Sequence, residues 1–323
     1  MSPLLRIGTR KSPLALWQAE HVRDRLLEAH PGLEVELVKV ETRGDKILDV
    51  PLARVGGKAL FVKEIEDMLL QGEVDIAVHS MKDVPTVLPP GLGLVATSSR
   101  EDPLDAFVAR DPAATPGFDD LPLGARVGTS SLRRAAQLLA ARPDLEIVSI
   151  RGNVGTRLGK LEADNLDAVI LACAGLERLG EGDRITARLD PLRCLPAIGQ
   201  GALGIEARLD DDRVGALVAC LNDPETAACV AAERGLLAGL EGGCQVPIAG
   251  YAVLRAGQVA LKGRVATLDG ATLLERELVG PPDAAEALGR ELAEQLLQDG
   301  AREILSEIYA AAEADEAAAQ GIP

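Results

Sequence analysis

A strand-and-helix pattern occurs twice in this chain and constrains its fold more than any other feature. The segment Arg6-Ile7-Gly8-Thr9 is similar to Arg126-Val127-Gly128-Thr129, and each leads from a strand into a helix start that contains serine. Val74-Asp75-Ile76-Ala77-Val78 is likewise similar to Leu166-Asp167-Ala168-Val169-Ile170. The spacing differs between the two pairs, but the pattern favours two α/β lobes of like architecture with a ligand-binding cleft between them.

Strand and helix signals alternate through the first hundred residues, as is typical of an α/β lobe. Ser12 and Pro13 suit the N-cap and first position of a helix, and His30-Pro31-Gly32 ends it. An apolar strand at residues 74–78 runs into a polar segment from His79 to Asp83. The other predicted elements are strands at residues 4–7, 33–37 and 91–96 and a helix at residues 61–70.

Two turn-rich segments, residues 98–103 and 195–201, predict crossovers between the lobes, which make the first domain discontinuous. The predicted domains are residues 1–99 with 200–219 and residues 104–194 for the two lobes, and residues 222–312 for a small α+β domain. The predicted elements of that third domain are a helix at residues 225–240, strands at 251–254, 258–265 and 272–279, and one long helix at 283–308. Residues 313–323 are expected to be a flexible tail.

The charge balance argues against several classes of function. Lys and Arg number 34 against 50 Asp and Glu, which gives a net charge of −16. An acidic surface repels nucleic-acid phosphates and anionic lipid, and aromatic content of 2% leaves few stacking platforms for single strands. No apolar run reaches membrane-spanning length and the start has no signal-peptide core, so the expected location is the cytoplasm.

The cysteines differ in their sequence surroundings. There are five cysteines and three histidines with no CxxC pair, so neither a disulfide framework nor a metal site is predicted. Cys173, Cys220 and Cys229 lie in apolar or alanine-rich stretches and are predicted to be small core residues. Cys244 lies in a glycine loop, Glu241-Gly242-Gly243-Cys244-Gln245-Val246-Pro247. A thiol there is a nucleophile or covalent anchor, or else an unreactive loop residue.

Basic residues cluster where the predicted strands end, which is where open α/β sheets bind ligands. The segment from Gly128 to Arg134 passes through small hydroxyl residues into a helix start, an arrangement that binds anions. Arg151 and Arg157 flank a glycine-rich turn and suit bidentate binding of carboxylate or phosphate. The alternative is a set of solvated surface charges.

Two further segments have competing interpretations. Asp83, beside Lys82 at the end of a strand, is either a general acid or base or a turn-capping aspartate. The segment Gly199-Gln200-Gly201-Ala202-Leu203-Gly204 matches the dinucleotide-binding pattern G-x-G-x-x-G. However, Pro196 stands where the preceding strand should be and no βαβ unit encloses the segment, so we reject dinucleotide binding.

Six motifs, in this order, resemble the porphobilinogen deaminase family over residues 4 to 310. They are Arg10-Lys11-Ser12-Pro13-Leu14-Ala15, Val55-Gly56-Gly57-Lys58, His79-Ser80-Met81-Lys82-Asp83-Val84-Pro85, Gly128-Thr129-Ser130-Ser131-Leu132-Arg133-Arg134, Arg151-Gly152-Asn153-Val154-Gly155-Thr156-Arg157 and Gly242-Gly243-Cys244-Gln245-Val246-Pro247. The resemblance implies an α/β fold of two periplasmic-binding-protein-like lobes with mixed sheets, and a small α+β C-terminal domain that carries the cofactor cysteine.

The same resemblance implies a reaction and a cofactor. Four porphobilinogen molecules are joined head to tail with loss of ammonia, and the linear tetrapyrrole hydroxymethylbilane is released. The implied cofactor is a dipyrromethane held by a thioether to Cys244. Each pyrrole carries an acetate and a propionate, which accounts for a cationic cleft in an acidic protein. A monomer without nucleic-acid or membrane partners is expected.

The resemblance further implies roles for individual residues. Asp83 and Lys82 are catalytic, and Asp83 protonates the leaving amine and then offsets the cation that forms. The implied cofactor-binding residues are Cys244, Lys82, Asp83, Ser131, Arg133, Arg134, Arg151 and Gln200. The implied substrate-binding residues are Arg10, Ser12, Arg54, Lys58, Phe61, Arg151, Arg157 and Arg178. The family commonly has Lys at the position of Arg54. A planar guanidinium therefore replaces a compact ammonium group there.

Two other classes of function explain part of the sequence. A non-catalytic two-lobed receptor for a small anion explains the lobes and the cations, but not a cysteine on a glycine loop in a third domain. A phosphate-handling transferase explains the segment from Gly128 to Arg134, but the chain has no Walker-type lysine or acidic metal-binding cluster.

Overall fold

The computed structural model describes residues 4–42, 62–243 and 246–319 of the 323-residue chain. In chain order its strands are β1 (Leu4–Arg10), β2 (Glu34–Val40), β3 (Ile76–Ser80), β4 (Leu92–Thr97), β5 (Asp105–Ala109), β6 (Arg126–Gly128), β7 (Glu146–Val148), β8 (Ala168–Ala172), β9 (Ala187–Arg188), β10 (Leu203–Arg208), β11 (Ile248–Arg255), β12 (Gln258–Ala266) and β13 (Leu273–Gly280). Its α-helices are α1 (Pro13–Ala29), α2 (Lys63–Leu70), α3 (Leu132–Ala141), α4 (Val154–Ala163), α5 (Cys173–Arg178), α6 (Asp212–Val218), α7 (Pro224–Gly239), α8 (Ala285–Leu296) and α9 (Arg302–Ala319).

Two five-stranded mixed sheets share one plan. The first has the order β2-β1-β3-β10-β4 and the second the order β7-β6-β8-β5-β9. In each sheet the first three strands are parallel, and the fourth runs antiparallel to both of its neighbours. The fourth strand of each sheet follows a crossover, because the chain enters the second lobe at β5 and returns to the first lobe at β10. The predicted α/β fold with two similar lobes is confirmed.

The repeat seen in the sequence has a physical basis in the two sheets. The backbone N–H of Arg6 donates to Oδ2 of Asp75 at 2.8 Å, and the N–H of Arg126 donates to Oδ2 of Asp167 at the same distance. Each arginine side chain also forms bonds along the same edge of its sheet. Both lobes therefore stabilise the start of their central parallel pair by an Arg–Asp contact, which explains the similarity of the two segments.

The third sheet, β11-β12-β13, is antiparallel and packs against α7 and α8 around one apolar core. The prediction of a single long helix at residues 283–308 is wrong. Helix α8 ends at Leu296, the backbone of Gly300 has a φ of 111°, and α9 begins at Arg302. A left-handed glycine ends a helix readily, although the apolar periodicity continues past it. Helix α9 continues to Ala319, beyond the point at which we expected a tail to begin.

The two crossovers meet at a buried glutamate of the third domain. Glu233, on α7, is fully buried, and the Arg100 guanidinium donates to both of its carboxylate oxygens at 2.7 Å. The backbone N–H groups of Gly199 and Ala252 donate to the same carboxylate at 2.6 Å and 2.8 Å. One side chain thus joins both crossover segments to the third sheet.

The G-x-G-x-x-G segment belongs to the second crossover. Gly199 and Gly201 have φ values of 71° and 92°, and the chain then enters strand β10 instead of a helix. This geometry lacks the helix N-terminus that a pyrophosphate requires. In the ranges that the structure describes, no helix combines the length and the apolarity that crossing a bilayer requires.

We expect Glu233→Ala to lower the free energy of unfolding by about 3–5 kcal/mol, because it leaves the buried Arg100 charge without its partner. Urea unfolding followed by circular dichroism measures this loss. Glu225→Ala, at an exposed position in the first turn of the same helix, is the control and should cost about 1 kcal/mol or less. Equal losses in the two variants would contradict the role assigned to Glu233.

Candidate active site

Three helix starts follow the carboxyl ends of parallel strands. Those at Ser12 and Ser131 agree with the sequence analysis, whereas the one at Asn153 lies in the segment described there as a glycine-rich turn. Ser12 caps α1 and Ser131 caps α3, each by accepting a backbone N–H at 3.4 Å. Asn153 caps α4 by accepting the N–H of Thr156 at 2.9 Å. Because helix N-termini carry partial positive charge, these ends favour anions beside them. The cap hydroxyls of Ser12 and Ser131 are acceptors in these bonds, and the same hydroxyls can still donate to a ligand.

A pocket in the first lobe contains the candidate catalytic aspartate. Asp83 ends the short 3₁₀ turn Met81–Asp83 that follows β3, and it is exposed to solvent. Arg10 and Ser12, at the end of β1, line the same pocket. Gln18 reaches across it and donates to Oγ of Ser80 at 2.8 Å. The pocket therefore places a carboxylate opposite a guanidinium and a helix start.

Lys82 lies on the other side of this turn and contacts the second crossover. Its Nζ donates to Oε1 of Gln200 at 3.2 Å. Burial, together with the charge of Arg134, lowers the pKa of Lys82 to about 8, although Asp83 and Asp105 act in the opposite direction. At neutral pH most of this amine is charged, and the charged fraction falls as the pH rises through 8. The structure thus brings Lys82, next to Asp83 in the first lobe, into contact with Gln200 of the second crossover.

Asp105 is a buried carboxylate that the sequence analysis missed. Arg133 donates to its Oδ2 at 2.7 Å and Arg134 donates to its Oδ1 at 2.7 Å, while Gln200 adds a bond of 2.9 Å. Burial acts to raise the pKa of Asp105, but the two guanidiniums outweigh it and hold that pKa well below its usual range. An acidic residue inside the apolar run Leu104-Asp105-Ala106-Phe107-Val108 is the signal that could have revealed it.

Arg133 and Arg134 bind backbone carbonyls in addition to Asp105. Arg133 also donates to the carbonyl of Leu195 at 2.7 Å, and Arg134 donates to the carbonyl of Ile170 at 3.0 Å. Both side chains are thus committed to protein groups. Two guanidiniums facing one carboxylate still leave a surplus positive charge beside Lys82, and a bound carboxylate would balance it.

Three further arginines extend this positive region. Burial and the charge of Arg134 lower the pKa of Arg157 to about 10, and Arg151 acts in the same direction while Asp83 opposes it. Arg157 therefore lies among these groups and stays charged at neutral pH. Arg151 has a buried guanidinium nitrogen, NH1, without a hydrogen-bond partner.

Arg178 belongs to α5 of the second lobe. It donates to the carbonyl of Gly201 at 2.7 Å, and its guanidinium lies 5.5 Å from the ring centre of Trp17 on α1. Its buried Nε also lacks a hydrogen-bond partner. A buried guanidinium with a free donor is poised to bind an acceptor from a ligand, and carboxylates suit it best.

Several predicted site residues lie outside the described residues, namely Arg54, Lys58, Phe61 and Cys244. Of the other cysteines, Cys173 and Cys229 are buried as predicted, whereas Cys220 is exposed. The prediction for Cys220 is wrong because its alanine-rich stretch forms a short 3₁₀ turn at the surface instead of a packed helix. Burial raises the pKa of Cys173 to about 12 and that of Cys229 to about 11, so both are poor nucleophiles at neutral pH.

Two family models match most of the chain. Residues 5–216 match the model described as porphobilinogen deaminase, dipyromethane cofactor binding domain, and residues 227–298 match its C-terminal domain. The chain is 58% identical to the porphobilinogen deaminase of Geotalea uraniireducens over 94% of this chain and 95% of that relative. It is 59% identical to the porphobilinogen deaminase of Pelobacter propionicus over 94% of this chain and 97% of that relative.

Solved structures also align with part of this chain. The methionine binding protein MetQ aligns at 14% identity with a TM-score of 0.44, over 72% of this chain and 94% of that one. The periplasmic VFT2 domain of BvgS from Bordetella pertussis aligns at 18% identity with a TM-score of 0.39, over 68% of this chain and 87% of that one.

Arg133 and Arg151 should differ in what they contribute to stability. Arg133→Leu removes one partner of a buried carboxylate and should lower the free energy of unfolding by about 3 kcal/mol. Arg151→Leu should change it by less than about 1 kcal/mol, because Arg151 is only partly buried and its buried Nη1 has no partner to lose. Urea midpoints measure both, with the exposed Arg25→Leu as control. A loss at Arg151 as large as that at Arg133 would contradict this assignment.

Proposed function

This chain belongs to the porphobilinogen deaminase family, and from that premise we propose how its residues carry out the reaction. Its activity is that of a hydroxymethylbilane synthase, a transferase of tetrapyrrole biosynthesis that joins porphobilinogen units with release of ammonia. The observation that carries the proposal is the position of Asp83. It is exposed in a pocket with Arg10, and it acts electrostatically on both Lys82 and Arg157.

The cofactor of this family fits the surplus positive charge of the site. The matched domain binds a dipyrromethane, which supplies the pyrrole carbon to which the first substrate unit is joined. We propose that Cys244 anchors it through a thioether. Arg151, with its free buried nitrogen, and Ser131, at the start of α3, would hold its carboxylates. Arg133 and Arg134 would contribute the surplus charge that remains after they pair with Asp105.

The substrate carboxylates require a second set of donors. Arg10 and Ser12 line the pocket of Asp83, and Arg157 lies close enough to feel its charge. Arg178 lies on the other lobe and has a free buried Nε. We propose that these residues bind the acetate and propionate of porphobilinogen, together with Arg54, Lys58 and Phe61. Lys82 and Gln200, which are hydrogen-bonded to each other, are proposed to connect these residues with those that hold the cofactor.

Asp83 is proposed to act twice in each condensation. First it passes a proton to the amino group of porphobilinogen as the C–N bond breaks, so that ammonia leaves. Its carboxylate then offsets the positive charge that spreads over the pyrrole nitrogen until the new C–C bond forms. When the new C–C bond forms, the same carboxylate would accept the proton released from the attacking carbon. The enzyme supplies positioning and charge, and no side chain becomes a nucleophile.

The protein is proposed to work as a monomer in the cytoplasm, with porphobilinogen as its small-molecule partner and without nucleic acid or membrane. The net charge of −16 supports the absence of phosphate-rich partners. Sedimentation of the purified protein tests the oligomeric state.

Asp83→Asn should slow the chemical step by about 10²–10⁴-fold, because asparagine cannot exchange a proton or offset a cation. Lys82→Gln should weaken binding more than it slows chemistry, because a lysine that holds a carboxylate acts in ground and transition states alike. Single-turnover formation of enzyme–substrate adducts, on protein shown by mass to carry its cofactor, separates these effects. If Asp83→Asn that carries its cofactor elongates at the wild-type rate, Asp83 has no catalytic role and is only a turn residue.

Purified protein should be heavier than its sequence by two linked pyrrole units, and peptide mapping should place them on Cys244. Cys244→Ala should abolish this added mass, while Cys220→Ala, at the exposed cysteine, should leave it unchanged. Arg151→Leu should reduce the loaded fraction without loss of fold. A mass equal to the bare sequence, from cells that make porphobilinogen, would count against the cofactor assignment.

A further inference from the structure

Behind the pocket of Asp83 the first lobe buries three titratable side chains together. They are Glu66 on α2, His79 on β3 and Glu206 on β10, with exposed fractions of 4%, 6% and 0%. Nε2 of His79 lies 2.9 Å from Oε2 of Glu206. None of the three belongs to the groups assigned so far to cofactor or substrate, yet His79 lines the pocket and lies four residues before Asp83.

The two glutamates are incompletely satisfied as carboxylates. Oε1 of Glu66 and Oε1 of Glu206 are both buried without a hydrogen-bond donor. Two ionised carboxylates would bring two negative charges into the core, and an unpaired buried charge is costly. The hydrogen-bonding partner that Glu206 has is His79, while Lys63 acts on Glu66 and Arg234 acts on Glu206 through their charges, the Arg234 guanidinium being bonded to the carbonyls of Val84 and Pro85. One proton on the pair removes the excess, because a protonated carboxyl is a donor as well as an acceptor.

We propose that Glu66 and Glu206 share one proton behind the pocket, and that this proton fixes His79 as a positioning residue and keeps negative charge away from bound porphobilinogen carboxylates. Glu206 then stays the acceptor for His79, and Glu66 is the group that gains and loses the proton. The part of this inference that concerns substrate rests on the function proposed above, whereas the shared proton does not.

The electrostatics around Glu66 agree with this assignment. Burial, and then the charge of Glu206, raise the pKa of Glu66 from 4.5 to about 7, and Asp67 acts in the same direction. His79 and Lys63 act against the rise. Above this pH Glu66 ionises and adds a negative charge beneath a pocket that must receive carboxylates. Binding of porphobilinogen should weaken there, with little change in the chemical step.

A direct test is the infrared absorption of a protonated carboxylic acid, recorded as a difference between pH 6 and pH 8 and repeated in D₂O. The wild-type protein should show the acid band at pH 6 and lose most of it at pH 8. Glu66→Gln should lack the band, whereas the control Asp67→Asn, an exposed acid on the same helix, should retain it. Absence of the band in the wild-type protein would overturn the shared proton, and that measurement needs no variant and no activity.

Kinetics test the link to substrate. Between pH 6 and pH 7.5 the KM of the wild-type enzyme for porphobilinogen should rise by about 3-fold or more while kcat changes little, since a group of pKa about 7 loses most of its proton over this range. Glu66→Gln mimics the protonated form and should keep a low KM throughout. If Glu66→Gln retains the wild-type dependence of KM on pH while the acid band is present, the proton is structural and its effect on substrate is disproved.

Stability gives a third readout with a defined sign. Because the folded pKa of Glu66 lies above its ordinary value, its contribution to stability is complete below about pH 4.5 and is lost as the pH rises through 7. The free energy of unfolding of Glu66→Gln, minus that of the wild-type protein, should therefore be larger at pH 8 than at pH 5. An unchanged difference between the two pH values would contradict the assignment of the titrating group to Glu66.

Discussion

The rest of the site depends on the hydrogen bonds and ion pairs that the buried carboxylate of Asp105 forms. It accepts from Arg133 and Arg134 of the second lobe and from Gln200 of the second crossover, and Gln200 in turn accepts from Lys82 of the first lobe. One ionised group therefore connects two lobes and a crossover at the point where the ligands would bind. The single negative charge of Asp105 is smaller than the summed positive charge of the cations around it. This excess of positive charge attracts carboxylates to the cleft.

This arrangement explains how a protein of net charge −16 can bind a ligand that itself carries several carboxylates. Apart from buried acids such as Asp105 and Glu233, many of the described acidic residues are exposed, where water screens their charge, whereas the cations of the cleft are partly or wholly buried. Burial strengthens each cation–carboxylate contact and also makes an unpaired cation expensive. The free nitrogens of Arg151 and Arg178 are the positions where a bound carboxylate would relieve that cost, as we propose. The same principle, with opposite sign, applies to Glu66 and Glu206, where a proton takes the place of the missing cation.

Local features of the sequence predicted a large part of this structure, and contacts between distant residues account for what was missed. Ser12 and Ser131 mark helix starts because a cap acts within three residues, so a single motif is enough to predict it. Asp105 and Glu233 could not be assigned, since their partners lie 28 and 133 residues away. The break at Gly300 was missed because the apolar period is the same on both sides of it. Cys220 was misplaced because an alanine-rich stretch has the same composition in a core helix and in a surface turn.

The return of the chain to the first lobe at β10 also affects the order in which the chain can fold during synthesis. Strand β10 fills the position between β3 and β4, but about one hundred residues separate the end of β4 from its start. At about 5–20 residues per second, the ribosome needs about 5–20 s to supply it. The second sheet has all of its strands by Arg188, whereas the first keeps two unpaired edges until Leu203 emerges. The ribosome therefore supplies all strands of the second lobe before it supplies the last strand of the first lobe.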